Sequence, residues 1–393
     1  MNFEVLYSAA HAEFPDTEPL GGGKAVADYL VREWRKRAPF SLTVLSPRSL
    51  GLNFDIPLTQ MRETEYGRFC RAFELATTTE ILKCNPLDCV VLSNDISEGP
   101  DFALLGEQGY RIVTIFHVDV VEYFAKFYLC GLVPPEKLTK FKRFSMLPEV
   151  LKLVFQKQFE CVQYSARIVV PSAPMRETIL RCYPECPPQK IVVVPWGDVT
   201  VPVAPTQPSG LPQLPEIADD EFVILTLSRL SPEKGIERLL QALRHLDNPK
   251  YRLHVSICGA PAYMRGQRYA CRLRALAAQL RHIPVEFPGH VTGPQKAALL
   301  QRADLFVSPS HHESYGLTIA EAQSAGCRVI SHFHYGASGT IVDCSKPMVL
   351  AQTILEVVST GRTPRTTRPE TRPTCSPGAA EQLVELLVRA HDS

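Results

Sequence analysis

Two carboxylates separated by seven residues, Glu313 and Glu321, occur in the run LFVSPSHHESYGLTIAEAQSAGCRVISH. The apolar residues that open this run read as a strand, and the spacing from Leu317 reads as a helix that starts near Gly316 and ends at Gly326. A helix start leaves backbone amides without helical partners, here around Tyr315, Gly316 and Leu317. It also carries the positive end of the helix dipole, so this junction can seat a phosphate. Glycine at 316 allows a ligand to approach the backbone closely. Glu313 lies before the helix and Glu321 within it, so the two sit at different depths and suit different tasks. One carboxylate can accept paired hydrogen bonds from vicinal hydroxyls such as those of a ribose. Another, nearer a reacting sugar, can orient it or stabilise positive charge at its anomeric carbon. The bland alternative is a pair of solvated acids at a helix start.

A second set is cationic. In LTLSRLSPEKGIERLLQAL a strand from Phe222 ends near Ser228 and a helix opens near Gly235, with Arg229 and Lys234 in the turn between them. Two cations at a strand's carboxyl end can neutralise a departing diphosphate, a task that other transferases give to a divalent metal. Nearer the N-terminus, PLGGGKAVADYL places Gly21, Gly22 and Gly23 between the first strand and the first helix, where small residues let a diphosphate or an acceptor pass under the helix start. The pattern is not GxGxxG and no acid ends the second strand, which disfavours a nicotinamide site. IFHVDVVEYF sets His117 and Asp119 just beyond another strand end, His117 to hydrogen-bond a sugar hydroxyl and Asp119 to orient it or bind the acceptor. His311 and His312 tempt a metal reading. Adjacent residues of an extended loop point to opposite sides, however, and no third ligand has a suitable spacing, so no metal site is expected.

The elements that must position these residues alternate. FEVLYSA, a helix from Lys24 to Arg37, SLTVLSP, a long helix before Cys84, DCVVLSN and RIVTIFHV give the βαβ signature of a parallel sheet; a helical insert from Val121 to Tyr164, then ARIVVPS and KIVVVPWG, completes it. Residues 199–220 are dense in proline and polar residues and read as a linker. The alternation restarts at EFVILTLSRL and continues through YRLHVSICGA, VEFPGHV, DLFVSPS and RVISH. The expected fold is α/β: two facing Rossmann-like domains with parallel sheets and a cleft between them, residues 1–198 and 221–362. A Pro- and Thr-rich spacer spans 363–377, and an amphipathic helix at 378–393 can pack back on the first domain. A chain of 393 residues is long enough for two such cores. Open α/β sheets bind ligands at the carboxyl ends of their strands, where every residue named above falls.

Glu313 and Glu321 with the flanking PS, the pair Gly316–Leu317 and the EAxxxG run to Gly326 resemble the hallmark of retaining glycosyltransferases of family four, the GT-B glycosyl transferases group one. Arg229 and Lys234 match the same family's Arg-x-x-x-x-Lys-Gly pattern. The resemblance implies a nucleotide diphosphate sugar as donor, UDP- or GDP-linked, with no cofactor and no metal. It places Glu321 on the ribose, Glu313 and His117 on the donor sugar, Arg229 and Lys234 on the donor phosphates, and Gly21, Gly22 and Gly23 against the donor phosphates and the acceptor. It also implies front-face attack, in which the donor's own phosphate oxygen takes the acceptor proton. The likeness follows element order through nearly the whole chain and is specific from Phe222 to Ser331. Past HYGASGTIVDCSKP the family's usual ending is shortened or altered, which leaves contacts from Gly336, Ala337 and Gly339 open.

Composition narrows the partners. A formal charge of +1 gives no global attraction to nucleic acid or to anionic lipid. MNFEVLYSAA is not a secretory leader, and no run approaches the roughly 18 apolar residues of a span, so a cytoplasmic protein is expected. Twelve scattered cysteines, without CxxC pairs, read as free thiols. The stretch 137–157, with Lys137, Lys140, Lys142 and Arg143 beside Phe141 and Phe144, has two readings: a face lying on the inner membrane surface, or a half-buried helix with solvated lysines. The acceptor, a hydroxyl of a glycan, lipid or small molecule, has no signature. Two rivals stand beside the transferase. One is a non-catalytic GT-B homologue that stabilises or targets a partner transferase. The other is a GT-B epimerase or phosphorylase, the latter needing a pyridoxal phosphate lysine that has no evident context here.

Overall fold

The computed structural model describes residues 3–12, 21–53, 58–127, 129, 132–139, 149–200, 218, 220–262, 265–362 and 378–392. Most of the linker at 199–220, the whole spacer at 363–377 and the cluster Lys140 to Phe144 lie outside the described residues. The chain forms two compact units, Met1–Val199 with Ser376–Ser393, and Thr200–Cys375.

In the first unit the elements run β1 (Glu4–Ser8), α1 (Gly22–Arg37), β2 (Ser41–Leu45), α2 (Glu63–Ile81), β3 (Cys89–Ser93), α3 (Phe102–Glu107), β4 (Arg111–Ile115), α4 (Val120–Phe127), α5 (Pro135–Leu138), α6 (Glu149–Tyr164), β5 (Arg167–Val170), α7 (Ala173–Cys182) and β6 (Ile191–Val193). The strands pair in parallel in the order β2-β1-β3-β4-β5-β6. Every residue of β3 is buried, as a parallel strand covered on both faces requires. Helix α1 turns Val26, Ala27, Leu30, Val31 and Trp34 inward. A last helix, α13 (Ala379–His391), joins this unit: Ala380 accepts a 3.1 Å hydrogen bond from the Trp34 indole, His391 stacks on Phe3, and Leu383 and Leu387 are fully buried. The helical end of the stretch 137–157 also faces inward. Lys157 is 2% exposed and gives its ammonium to the Gly99 and Pro100 carbonyls and to Glu74, and Phe155 packs edge-on against Phe124. These inward-facing side chains fit the half-buried reading of that end.

In the second unit β7 (Phe222–Leu227), α8 (Ile236–Leu243), β8 (Leu253–Cys258), α9 (Gly266–Ala277), β9 (Val285–Gly289), α10 (Gly293–Arg302), β10 (Leu305–Ser308), α11 (Leu317–Ser324), β11 (Arg328–Ser331), β12 (Thr340–Ile341) and α12 (Pro347–Ser359) build a parallel sheet in the order β12-β11-β10-β7-β8-β9. One face buries Ile224, Val255 and Val307 with Leu239 and Leu243 of α8 and Ile354 of α12. The other buries Leu225, Phe306 and Val329 with Leu299 of α10 and Ile319 of α11. In each sheet the order reverses once, between β1 and β3 in the first and between β7 and β10 in the second; such switch points open a crevice at the carboxyl ends of the strands. Among the described residues no helix is long and apolar enough to cross a membrane.

Candidate functional site

At the switch point of the second unit, the chain leaves β7 through a short turn, Pro232–Lys234, and enters α8 at Gly235. Gly235 has φ 59°, and a Cβ there would sit 2.6 Å from the Pro309 carbonyl oxygen, so only glycine lets this turn lie against the exit of β10. The two segments are tied along their length: the His311 amide and the Ser310 hydroxyl both donate to the Glu233 carbonyl. The result brings Lys234 onto Glu313, with 2.6 Å between Nζ and Oε1, both side chains mostly buried. Burial alone would push the Glu313 carboxyl up, but Lys234, with help from His334 and His312, outweighs it and holds the carboxyl below its usual value. It is therefore an anion at neutral pH. Arg229 lies on the same turn with its guanidinium 3.9 Å from the Glu233 carboxylate.

Glu321 stands apart from this pair. It projects from α11 to Lys296 of α10, 2.5 Å from Nζ to Oε1, a partner with no motif to reveal it in TGPQKAALL. Between the two carboxylates, Gly316 begins α11 with φ 80°, no side chain caps the helix and no acid occupies its first turn. Tyr315 precedes that start and Leu317 is the first helical residue. A Cβ on Gly316 would lie 2.8 Å from the Gly336 carbonyl, and the Gly336 amide donates to the Glu313 carbonyl at 3.0 Å. Residues 313–316 and 334–336 are thus packed as one surface. His334 belongs to it, and the sequence reading had not singled it out. His311 and His312 diverge: His311 Nδ1 accepts from Arg238 at 2.9 Å, and burial with that cation presses its pKa down to about 4, whereas His312 packs edge-on against Tyr335.

The switch point of the first unit gathers a polar cluster. His117, just past β4, donates from Nε2 to Asn94 Oδ1 at 3.2 Å, with its ring against Trp196; burial lowers its pKa, so it is neutral. Tyr7 donates to the same Asn94 oxygen at 2.6 Å, and the Asn94 amide reaches Asp95 at 3.0 Å. His11 Nδ1 is 3.3 Å from Asp95, while Tyr66 donates to Glu98 at 2.6 Å. Burial pushes the Asp95 carboxyl up, but His11, His117 and Asn94 outweigh it and bring its pKa to about 2; burial and Asp95 raise that of Glu98. Gly21 precedes α1, and Gly22 and Gly23 form its first turn, so two of the three glycines are helical and not loop. A Cβ on Gly23 would come within 3.5 to 3.7 Å of His11, Asp95 and His117. His11, Asn94, Asp95, Glu98 and Trp196 were missed in the sequence; their only signal there is a place just past a strand end.

Asp119 requires correction. It is fully buried, its Oδ1 accepts the Glu122 amide at 3.1 Å and the Gln158 amide at 3.0 Å, and so it caps the N-terminus of α4 inside the domain. Burial raises its pKa to about 6. A carboxyl without solvent exposure, spent on a helix end, is not placed to bind an acceptor.

The family described as Glycosyl transferases group 1 matches residues 212–360. D-inositol 3-phosphate glycosyltransferase of Geodermatophilus obscurus is 31% identical over 189 residues, which are 44% of this chain and 41% of that protein. Lipopolysaccharide 1,2-N-acetylglucosaminetransferase of Salmonella typhimurium is 29% identical over 182 residues, 45% and 47% of the respective chains. The chain spans under half the length of these curated relatives. In structure it is similar over 99% of its length to 97% of Anabaena Alr3699/HepE in complex with UDP and glucose, at a TM-score of 0.57 and 14% identity, a likeness of fold.

Proposed function

The chain belongs, through residues 212–360, to the glycosyl transferases group 1, and from that premise we propose that it moves a sugar from a nucleotide diphosphate sugar to an acceptor hydroxyl, with retention and without a metal. The observation that carries this reading is the Lys234–Glu313 pair across the switch point of the second unit, beside an uncapped helix start. The distal phosphate takes the amides at Tyr315, Gly316 and Leu317; Arg229 and Lys234 neutralise the diphosphate as it leaves, in place of a divalent ion. Glu313, anionic and fixed by Lys234, orients the sugar and faces the positive charge that develops at its anomeric carbon. Glu321, fixed by Lys296, accepts the ribose hydroxyls. No general base is required, because the phosphate oxygen released on that face takes the acceptor proton. A uridine or guanosine nucleotide fits the reading, UDP being the nucleotide bound by the Anabaena protein.

Thermal shift against UDP-, GDP- and ADP-sugars with EDTA present tests it. A donor at a hundred times its dissociation constant stabilises by about 2.7 kcal/mol. The expected result is a shift with one nucleotide class that is lost in Glu321→Ala and in Lys234→Ala. No shift with any of them overturns the donor reading and favours a non-catalytic homologue.

A further inference from the structure

We infer that His334 reads a hydroxyl of the transferred sugar and is a specificity residue for the donor. The inference rests on the donor reading above. His334 lies in the loop after β11 that packs on residues 313–316, and its ring is in the field of Glu313, Lys234, His312 and His332. Both ring nitrogens are closed to solvent, and neither has a hydrogen-bond partner among the described residues. Three other histidines are engaged: His311 accepts from Arg238, His117 donates to Asn94, and His332 Nδ1 accepts the Cys344 amide.

An imidazole whose two nitrogens are buried and unmatched is costly, and native proteins satisfy such groups. The chemistry of the missing partner follows from the charge of the ring. Burial, together with Lys234 and the neighbouring histidines, outweighs the pull of Glu313 and brings the His334 pKa to about 4, so the ring is neutral and presents one N–H donor and one lone pair. A phosphate oxygen only accepts and would leave the lone pair unmatched. Hydroxyls both donate and accept, and a sugar carries them on adjacent carbons. The position beside Glu313 assigns them to the sugar of the donor, not to its nucleotide.

The test separates sugar from nucleotide. Wild type, His334→Ala and His334→Gln are titrated calorimetrically at pH 7.5 in EDTA with UDP, GDP, UDP-glucose and GDP-mannose. In the nucleotide class that wild type binds, His334→Ala weakens the sugar nucleotide about tenfold, equivalent to 1.4 kcal/mol, and leaves the bare nucleotide within twofold; unchanged nucleotide binding also certifies the fold. Glutamine, which keeps a donor and an acceptor, recovers part of the loss. A further readout is the melting temperature without ligand, which removal of two unmatched nitrogens does not lower. Equal weakening of nucleotide and sugar nucleotide, or no weakening of either in both variants, overturns the inference while the donor reading stands. Failure of wild type to bind any of the four overturns the donor reading and this inference with it.

Discussion

At the scale of single residues, the second unit turns on how a buried carboxylate is kept charged. Glu313 titrates below its usual value because Lys234 outweighs burial. A carboxyl depressed in this way contributes stability above its unfolded pKa, and that contribution is lost as pH falls through the folded value. Without the ammonium the largest influence opposing burial is gone and only His334 and His312 still favour the anion, so the stabilisation that Glu313 gives as a carboxylate is lost. Lys234→Ala is therefore expected to cost about 2 kcal/mol at pH 7.5, a buried-pair loss discounted for partial exposure, and no more than about half of that at pH 4. Urea midpoints at the two pH values measure it, and Glu313→Gln in the same background should recover most of the loss. Equal losses at both pH values would mean that solvent already screens the pair. The residues of this pair were legible because a strand exit and a helix start put charged residues at fixed offsets from glycines. Lys296 and His334 were not, because each reaches the site from an element whose own sequence has no offset to report, the first from mid-helix and the second from a loop whose packing on Gly316 is a tertiary fact.

At the scale of elements, what misled the sequence reading is the similarity between a residue that follows a strand and one that starts a helix. His117 and Asp119 are two positions apart, yet one faces the switch-point cluster and the other closes α4. The short α3 and the two-residue edge strand β12 carry too few periods to be read from their pattern. Asp119 supplies the prediction here. Its pKa is raised to about 6 by burial, so its contribution to stability is complete below the unfolded value and is lost as pH rises through about 6. At pH 7.5 the buried charge is a cost. Asp119→Asn keeps the oxygen that caps α4 and removes that charge, and should raise stability at pH 7.5 by about 1–2 kcal/mol with little change at pH 4. Chemical denaturation at the two pH values decides it. A loss of stability at pH 7.5 would show that the carboxylate is needed as an anion.

At the scale of the whole molecule, the alternation of strands and helices was enough to give two parallel α/β units, because each strand buried on both faces must be apolar and each crossover must be helical. It was not enough to give the strand order, since a right-handed crossover can add the next strand on either side of the sheet. The switch points, and the clusters gathered at them, therefore stayed out of reach. One long-range feature can be tested directly. Helix α13 follows the second unit in sequence but contributes its apolar face to the first, through Leu383, Leu387 and the Ala380 carbonyl that accepts from Trp34. Two fully buried leucines are worth about 1.5–3 kcal/mol each. Removing residues 378–393 should therefore lower the melting transition of the first unit by several degrees and expose Trp34, red-shifting its fluorescence. The second unit keeps every residue proposed to hold the nucleotide, so the truncated chain should still show the nucleotide-dependent shift of its own transition in differential scanning calorimetry. Loss of that shift together with the helix would mean that the two units do not unfold as separate bodies, and that nucleotide binding is coupled to the packing of α13.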